Sequence, residues 1–128
     1  MKKVLGLFKK EAAVVGWLPT DRPYPRLAAN IAGVPAQPGI YALWHRGVRP
    51  QWLRVGTARN LASAFVELAE SPDIVALGID VFVTWATPPA PQHAGIVRFL
   101  AKTLQPALQD VVADVPAVAF PLPPGTTL

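Results

Sequence analysis

Fifteen prolines in 128 residues decide where this chain can form regular structure. Proline fixes its own φ, has no backbone N–H to donate, and pushes the residue before it out of the helical region. Pro19, Pro23, Pro25, Pro35 and Pro38 interrupt everything between Gly16 and Gly39. That stretch is expected to be an extended arm, with room for one short helical turn over residues 27–32. Pro88, Pro89 and Pro91 break the chain again, and Pro106 marks a stop. Four more prolines fall in the last fourteen residues, which carry no charge. Those residues either pack as one extended segment around Val118 and Phe120 or fray. The organised part of the chain is thus expected to begin at Gly39.

The rest of the composition narrows the class. Hydrophobic residues make up 52% of the chain and charged residues only 16%, which excludes a disordered acidic or basic tail. The length suits one domain with a real core. With no cysteine, disulfides, thiolate zinc sites, iron–sulfur clusters and thiol nucleophiles are excluded. The uncharged stretch of residues 81–97 contains three prolines and is too broken to span a membrane. At the N-terminus, Lys9, Lys10 and Glu11 cut the apolar run to five residues, shorter than a signal peptide needs. A cytoplasmic location is expected.

Charge is unevenly spread. Residues 1–59 hold ten of the twelve Lys/Arg against two acids, a net +8, while residues 60–128 hold two against six, a net −4. A basic half attracts phosphates or acidic lipid, and it also keeps an apolar protein in solution. Within residues 1–16, Val4, Phe8 and Val15 share one helical side and Lys2, Lys3, Lys9 and Lys10 the other. Such a helix either packs on its own domain or lies on an anionic membrane surface. Packing is the expectation, because the apolar face is short and Glu11 lies beside it.

The central stretch reads as alternating strands and helices. Residues 40–45 and 51–56 have strand character and are joined by a hairpin loop, Arg46-Gly47-Val48-Arg49-Pro50. Asn60 can cap a helix carrying Leu61, Phe65 and Leu68, which Ser71-Pro72-Asp73 ends. Residues 78–85 form the clearest strand. A second helix is expected from about residue 92 to 104, with Ile96, Phe99, Leu100 and Thr103 on one face. The expected core is Phe65, Leu68, Val81, Val83, Phe99 and Leu100.

That order, with Gly39-Ile40-Tyr41 followed by Leu53-Arg54-Val55-Gly56, resembles the two-part signature of GIY-YIG nucleases. Thr57-Ala58-Arg59-Asn60-Leu61 continues the pattern as in the nuclease domain of the excision-repair endonuclease. Pro106-Ala107-Leu108-Gln109 resembles the family's closing motif, with Gln109 in place of Asn. The resemblance implies an α+β fold: a three-stranded antiparallel sheet flanked by helices, preceded by an N-terminal helix and extended arm. It divides the chain into a basic, Pro-rich arm (1–37), a GIY-YIG-like domain (38–110) and an apolar Pro-rich tail (111–128). It also places Tyr41 and Arg54 near one another at the former active cleft.

The departures from the family fall on its chemistry. Members use a tyrosine in each half of the signature, a helical arginine, and a glutamate that holds a divalent metal. Here those positions carry Tyr41, Arg54, Ala64 and Val97. No Asp or Glu occurs anywhere from Val81 to Gln109, so a slip in register recovers no carboxylate. His93 alone makes a poor Mg²⁺ site, since that ion prefers oxygen ligands; His93 and His45 read as surface or capping residues. Neither a metal nor another cofactor is expected.

The leading expectation is a catalytically inactive GIY-YIG-like domain that binds nucleic acid. Tyr41, Arg46, Arg49, Arg54, Arg59 and Asn60 are the candidate contacts, with Trp44 and Trp52 either stacking on bases or packing in the core. A second reading is a protein or membrane-surface adaptor, in which the tail from Val115 to Pro121 adds an extended edge to a sheet, or residues 1–16 meet an anionic membrane. A third keeps metal-dependent cleavage through a site completed by a partner chain. The sequence leaves the oligomeric state open.

Overall fold

The computed structural model describes residues 17–19, 25–27, 33–45, 51–76, 80–108 and 113–123. The expected helix over residues 1–16, the hairpin loop with Arg46 and Arg49, and most of the helical turn at 27–32 lie outside them. Three strands, β1 (Gly39–His45), β2 (Gln51–Ala58) and β3 (Val81–Ala86), form one antiparallel sheet in the order β2-β1-β3. Helix α1 (Leu61–Ala69) and the short α2 (Pro72–Val75) follow β2, and α3 (His93–Leu104) follows β3. The fold is therefore α+β, as expected. Among the described residues, no helix is long and apolar enough to cross a membrane.

The sheet separates two apolar clusters, because successive side chains on a strand point to opposite faces. Tyr41, Leu43, Val81, Val83 and Trp85 pack with Leu61, Phe65 and Leu68 of α1 and Ile74 of α2. Ile40, Ala42, Val55 and Ala86 pack on the other side with Ile96, Val97, Leu100 and Leu104 of α3. Residues 39–43 of β1 are all buried, as befits a central strand covered on both faces.

Chain from outside the strands lies along both outer edges of the sheet. Leu18 exchanges two backbone hydrogen bonds with Trp85 (2.7 and 3.2 Å), and the Leu18 carbonyl also accepts from the buried Thr84 hydroxyl at 2.7 Å. Pro25 and Leu27 bond to Val83 and Val81. The expected extended arm is thus hydrogen-bonded to β3. On the far side, Ala107 and Leu108 donate to the carbonyls of Trp52 and Leu53 of β2.

Several boundaries differ from expectation, each for a local reason. The third strand starts at Val81, not residue 78: Asp80 precedes it, and residues 77–79 lie outside the described set. Pro72 does not simply end a helix. It opens α2, where the missing N–H costs nothing in a first turn. A 3₁₀ turn (Ala90–Gln92) leads into α3, which begins at His93. His93 itself is buried, its Nε2 lying 2.7 Å from the Pro88 carbonyl, so it fastens the proline turn to the helix. Phe99 is only partly buried: the buried stripe of α3 runs through Ile96, Val97, Leu100 and Leu104, leaving Phe99 at its rim.

Candidate functional site

Beside Tyr41 the surface opens into a cleft of about 410 Å³, lined by Tyr41, Arg59, Asn60, Ser63, Ala64 and Glu67 among others. Tyr41 stands opposite Gly56 across the strand pair. A Cβ on Gly56 would lie 2.5 Å from the Tyr41 hydroxyl oxygen and 2.8 Å from Cζ, so the absence of a side chain there is what lets the phenol lie over β2. Phe65 of α1 meets the Tyr41 ring edge-on, with centroids 6.1 Å apart. Tyr41 is therefore held by a strand, a glycine and a helix at once.

Asn60 caps α1 as expected: its Oδ1 accepts from the Ser63 N–H at 3.0 Å. The other first-turn donors are also taken. Leu61 and Ala62 donate to the Gln37 and Pro35 carbonyls, and Ala64 donates to that of Asn60. An anion at this helix start would find the amides already engaged. Charge in the cleft comes instead from exposed Arg59 and Glu67, one of each sign.

Arg54, expected beside Tyr41 as a candidate contact, turns to another partner. The β1–β2 register slips by one residue between Leu43 and Trp44, leaving Leu53 as an extra residue in β2. Arg54 pairs with Leu43, two positions along β1 from Tyr41, so the two expected neighbours are diagonal across the strands. Its side chain is only 16% exposed, and its Nη2 reaches Asp73 Oδ2 of α2 at 3.5 Å. The Ser71 hydroxyl also contacts the Asp73 carboxylate. Asp73 is thereby held below the usual carboxylate range, first by the Ser71 hydroxyl and further by backbone N–H groups and the Arg54 charge.

The sign of the consequence follows. A carboxylate with a lowered folded-state pKa contributes stability above its unfolded value, near 3.8, and loses it as pH falls through the folded value. The stability difference between wild type and Asp73→Asn should therefore hold above pH 4 and shrink below it, as read from urea midpoints at successive pH values. A difference independent of pH would remove Asp73 from that role. The effect should be small, because Asp73 is exposed.

The structure thus brings Tyr41, Arg59, Asn60 and Ala64 to one cleft and sets Arg54 beside it against Asp73. Val97 is elsewhere: it is buried among Ile40, Val55 and Ile96 on the opposite face of the sheet from Tyr41. Trp44 and Trp52 are also away from the cleft. They pair across β1 and β2, Trp44 leans on Phe82 with centroids 5.9 Å apart, and Trp52 packs on the α3-side cluster. Glu67 and Ser63 were not singled out from sequence, although the spacing Asn60-Ser63-Glu67 already puts them along one side of α1. Among the described residues, no three His, Cys, Asp or Glu side chains gather to hold a metal ion.

Sheet, helices and cleft together define a small α+β domain with a depression of mixed polarity beside a central-strand tyrosine. No protein-family model, curated protein or solved structure matches the chain.

Proposed function

We propose that this chain is a binding domain of GIY-YIG-like descent that does not cleave, and that it contacts nucleic acid through the Tyr41 cleft. One observation carries the reading: Tyr41 and Ala64 face a common cleft with Arg59 and Asn60, while Val97 is buried behind the sheet. The position that resembles the metal-binding glutamate is thus occupied by a core valine, on the face away from the tyrosine. Exposed Arg59 offers a phosphate contact, and the excess of Lys/Arg over residues 1–59 supplies long-range attraction. Glu67 opposes that attraction locally, so weak, salt-sensitive binding is the expectation.

The adaptor reading draws less support, because residues 116–122 of the tail lie against the chain's own α3 and Trp17 rather than along a sheet edge.

The test has two parts. Purified protein with Mg²⁺ or Mn²⁺ should leave plasmid and oligonucleotide substrates intact; robust cleavage abolished by Tyr41→Phe would establish an enzyme instead. Fluorescence anisotropy with labelled single-stranded and duplex oligonucleotides should show affinity falling steeply between about 50 and 200 mM salt. Arg59→Ala should weaken binding and reduce the salt slope by about one phosphate contact. Absent or salt-independent binding would sink the nucleic-acid assignment.

A further inference from the structure

The last described segment behaves as a bound peptide. Along residues 117–122, exposed and inward-facing residues alternate: Ala117, Ala119 and Pro121 are exposed, whereas Val118 and Leu122 are partly buried and Phe120 is buried. This is the period-2 pattern of an extended peptide that puts every second side chain into a groove. Few main-chain bonds hold it. The Val118 N–H donates to the Gly95 carbonyl at 2.9 Å, and the Trp17 indole Nε1 donates to the Pro121 carbonyl at 2.7 Å. Trp17 also meets Phe120 edge-on, with centroids 5.5 Å apart.

The receiving surface is shaped for this segment. Gly95 lies inside α3, where glycine costs roughly 0.5–1 kcal/mol relative to alanine. A Cβ there would come within 2.5 Å of Val118 Cγ2 and 2.7 Å of the Pro116 carbonyl oxygen. The helix forgoes a side chain at the point where the tail crosses it. The segment is uncharged and proline-rich, so its unfolded chain has less freedom to lose on docking.

We infer that Gly95 of α3 and Trp17 form a peptide-recognition groove, filled in cis by residues 116–122, which accepts the same segment from a second copy of this chain. The second copy is the partner of choice because it carries the very segment that fits. At ordinary concentrations the tethered tail wins, since a short tether holds it at an effective concentration on the order of millimolar. Disabling the tail in one copy and the groove in another removes that advantage.

The experiment mixes two full-length variants. Gly95→Val fills the groove and leaves its tail free; Val118→Asp with Phe120→Asp spoils the tail and leaves its groove empty. Light scattering should find each alone at monomer mass and the mixture at twice that mass, with one copy of each. A mixture that stays at monomer mass overturns the proposal. Near-UV circular dichroism checks that both variants fold. Should either fail, the full-length single variant Val118→Asp, whose own tail competes less for the groove, is titrated with a labelled wild-type peptide of residues 113–123. Saturable anisotropy that unlabelled peptide reverses supports the groove; no saturation up to millimolar protein overturns it.

Discussion

Phe65→Ala should destabilise the domain by about 3–5 kcal/mol, read as a drop in the urea or guanidinium midpoint. Phe65 is 5% exposed and lies between two other rings. It meets Tyr41 at 6.1 Å and Trp85 at 5.7 Å, both in T-shaped geometry. Truncation removes the buried ring, leaves a cavity under α1, and forfeits two edge contacts worth roughly 0.5–1.5 kcal/mol each beyond their burial. A domain of this kind has about 5–15 kcal/mol in all, so the variant would sit near the threshold of folding. Phe65→Leu keeps most of the volume and should lose clearly less. A loss below about 1 kcal/mol for the alanine variant would mean that α1 does not pack on the sheet as described. The same ring positions Tyr41, so conditions that keep Phe65→Ala folded should still show a weakened cleft.

Trp17→Ala carries a comparable expectation on the other face, again about 3–5 kcal/mol. Trp17 is 4% exposed, packs in the cluster with Ile40, Ile96 and Phe120, and donates its indole N–H to Pro121. It joins the N-terminal arm, the sheet and the tail at one point. Removing it therefore acts on two segments far apart in sequence. Limited proteolysis should cut both the arm and the tail faster in this variant, together with the drop in midpoint. Trp17→Phe separates the contributions: it keeps most of the ring burial and loses the hydrogen bond, worth about 1 kcal/mol. Unchanged proteolysis of the tail in Trp17→Ala would show that Pro121 and Phe120 are held by something else.

The features legible in the sequence are those set by near neighbours. Asn60 announces its cap because the partner N–H is three residues away. The strand order of apolar residues, the stops at Pro88 and Pro106, and the α+β class follow from the same short-range signals. What was not legible depends on distant contacts. Arg54 was named as a candidate contact, and its ion pair was not foreseen, because its partner Asp73 is nineteen residues on and the extra residue at Leu53 has no sequence mark. The stripe of α3 was placed one position off: Phe99 and Thr103 fit a 3.6 period almost as well as Val97 and Leu104, and only packing against the sheet decides. Gly95 was not singled out at all, since the tail that needs the space arrives more than twenty residues later. At the cleft, Tyr41, Arg59 and Asn60 were named from the resemblance, while Glu67 was counted only as charge.

The covered edges of the sheet bear on how so apolar a chain avoids its own kind. An open strand edge offers unpaired N–H and C=O groups that template pairing with another molecule. Many proteins guard such edges with lysines or other charges, which are scarce here at 16% of the chain. This domain instead caps β3 with Leu18, Pro25 and Leu27, and part of β2 with Ala107 and Leu108. Among the described residues, the proline-bearing segments thereby occupy strand-edge groups that charge does not guard.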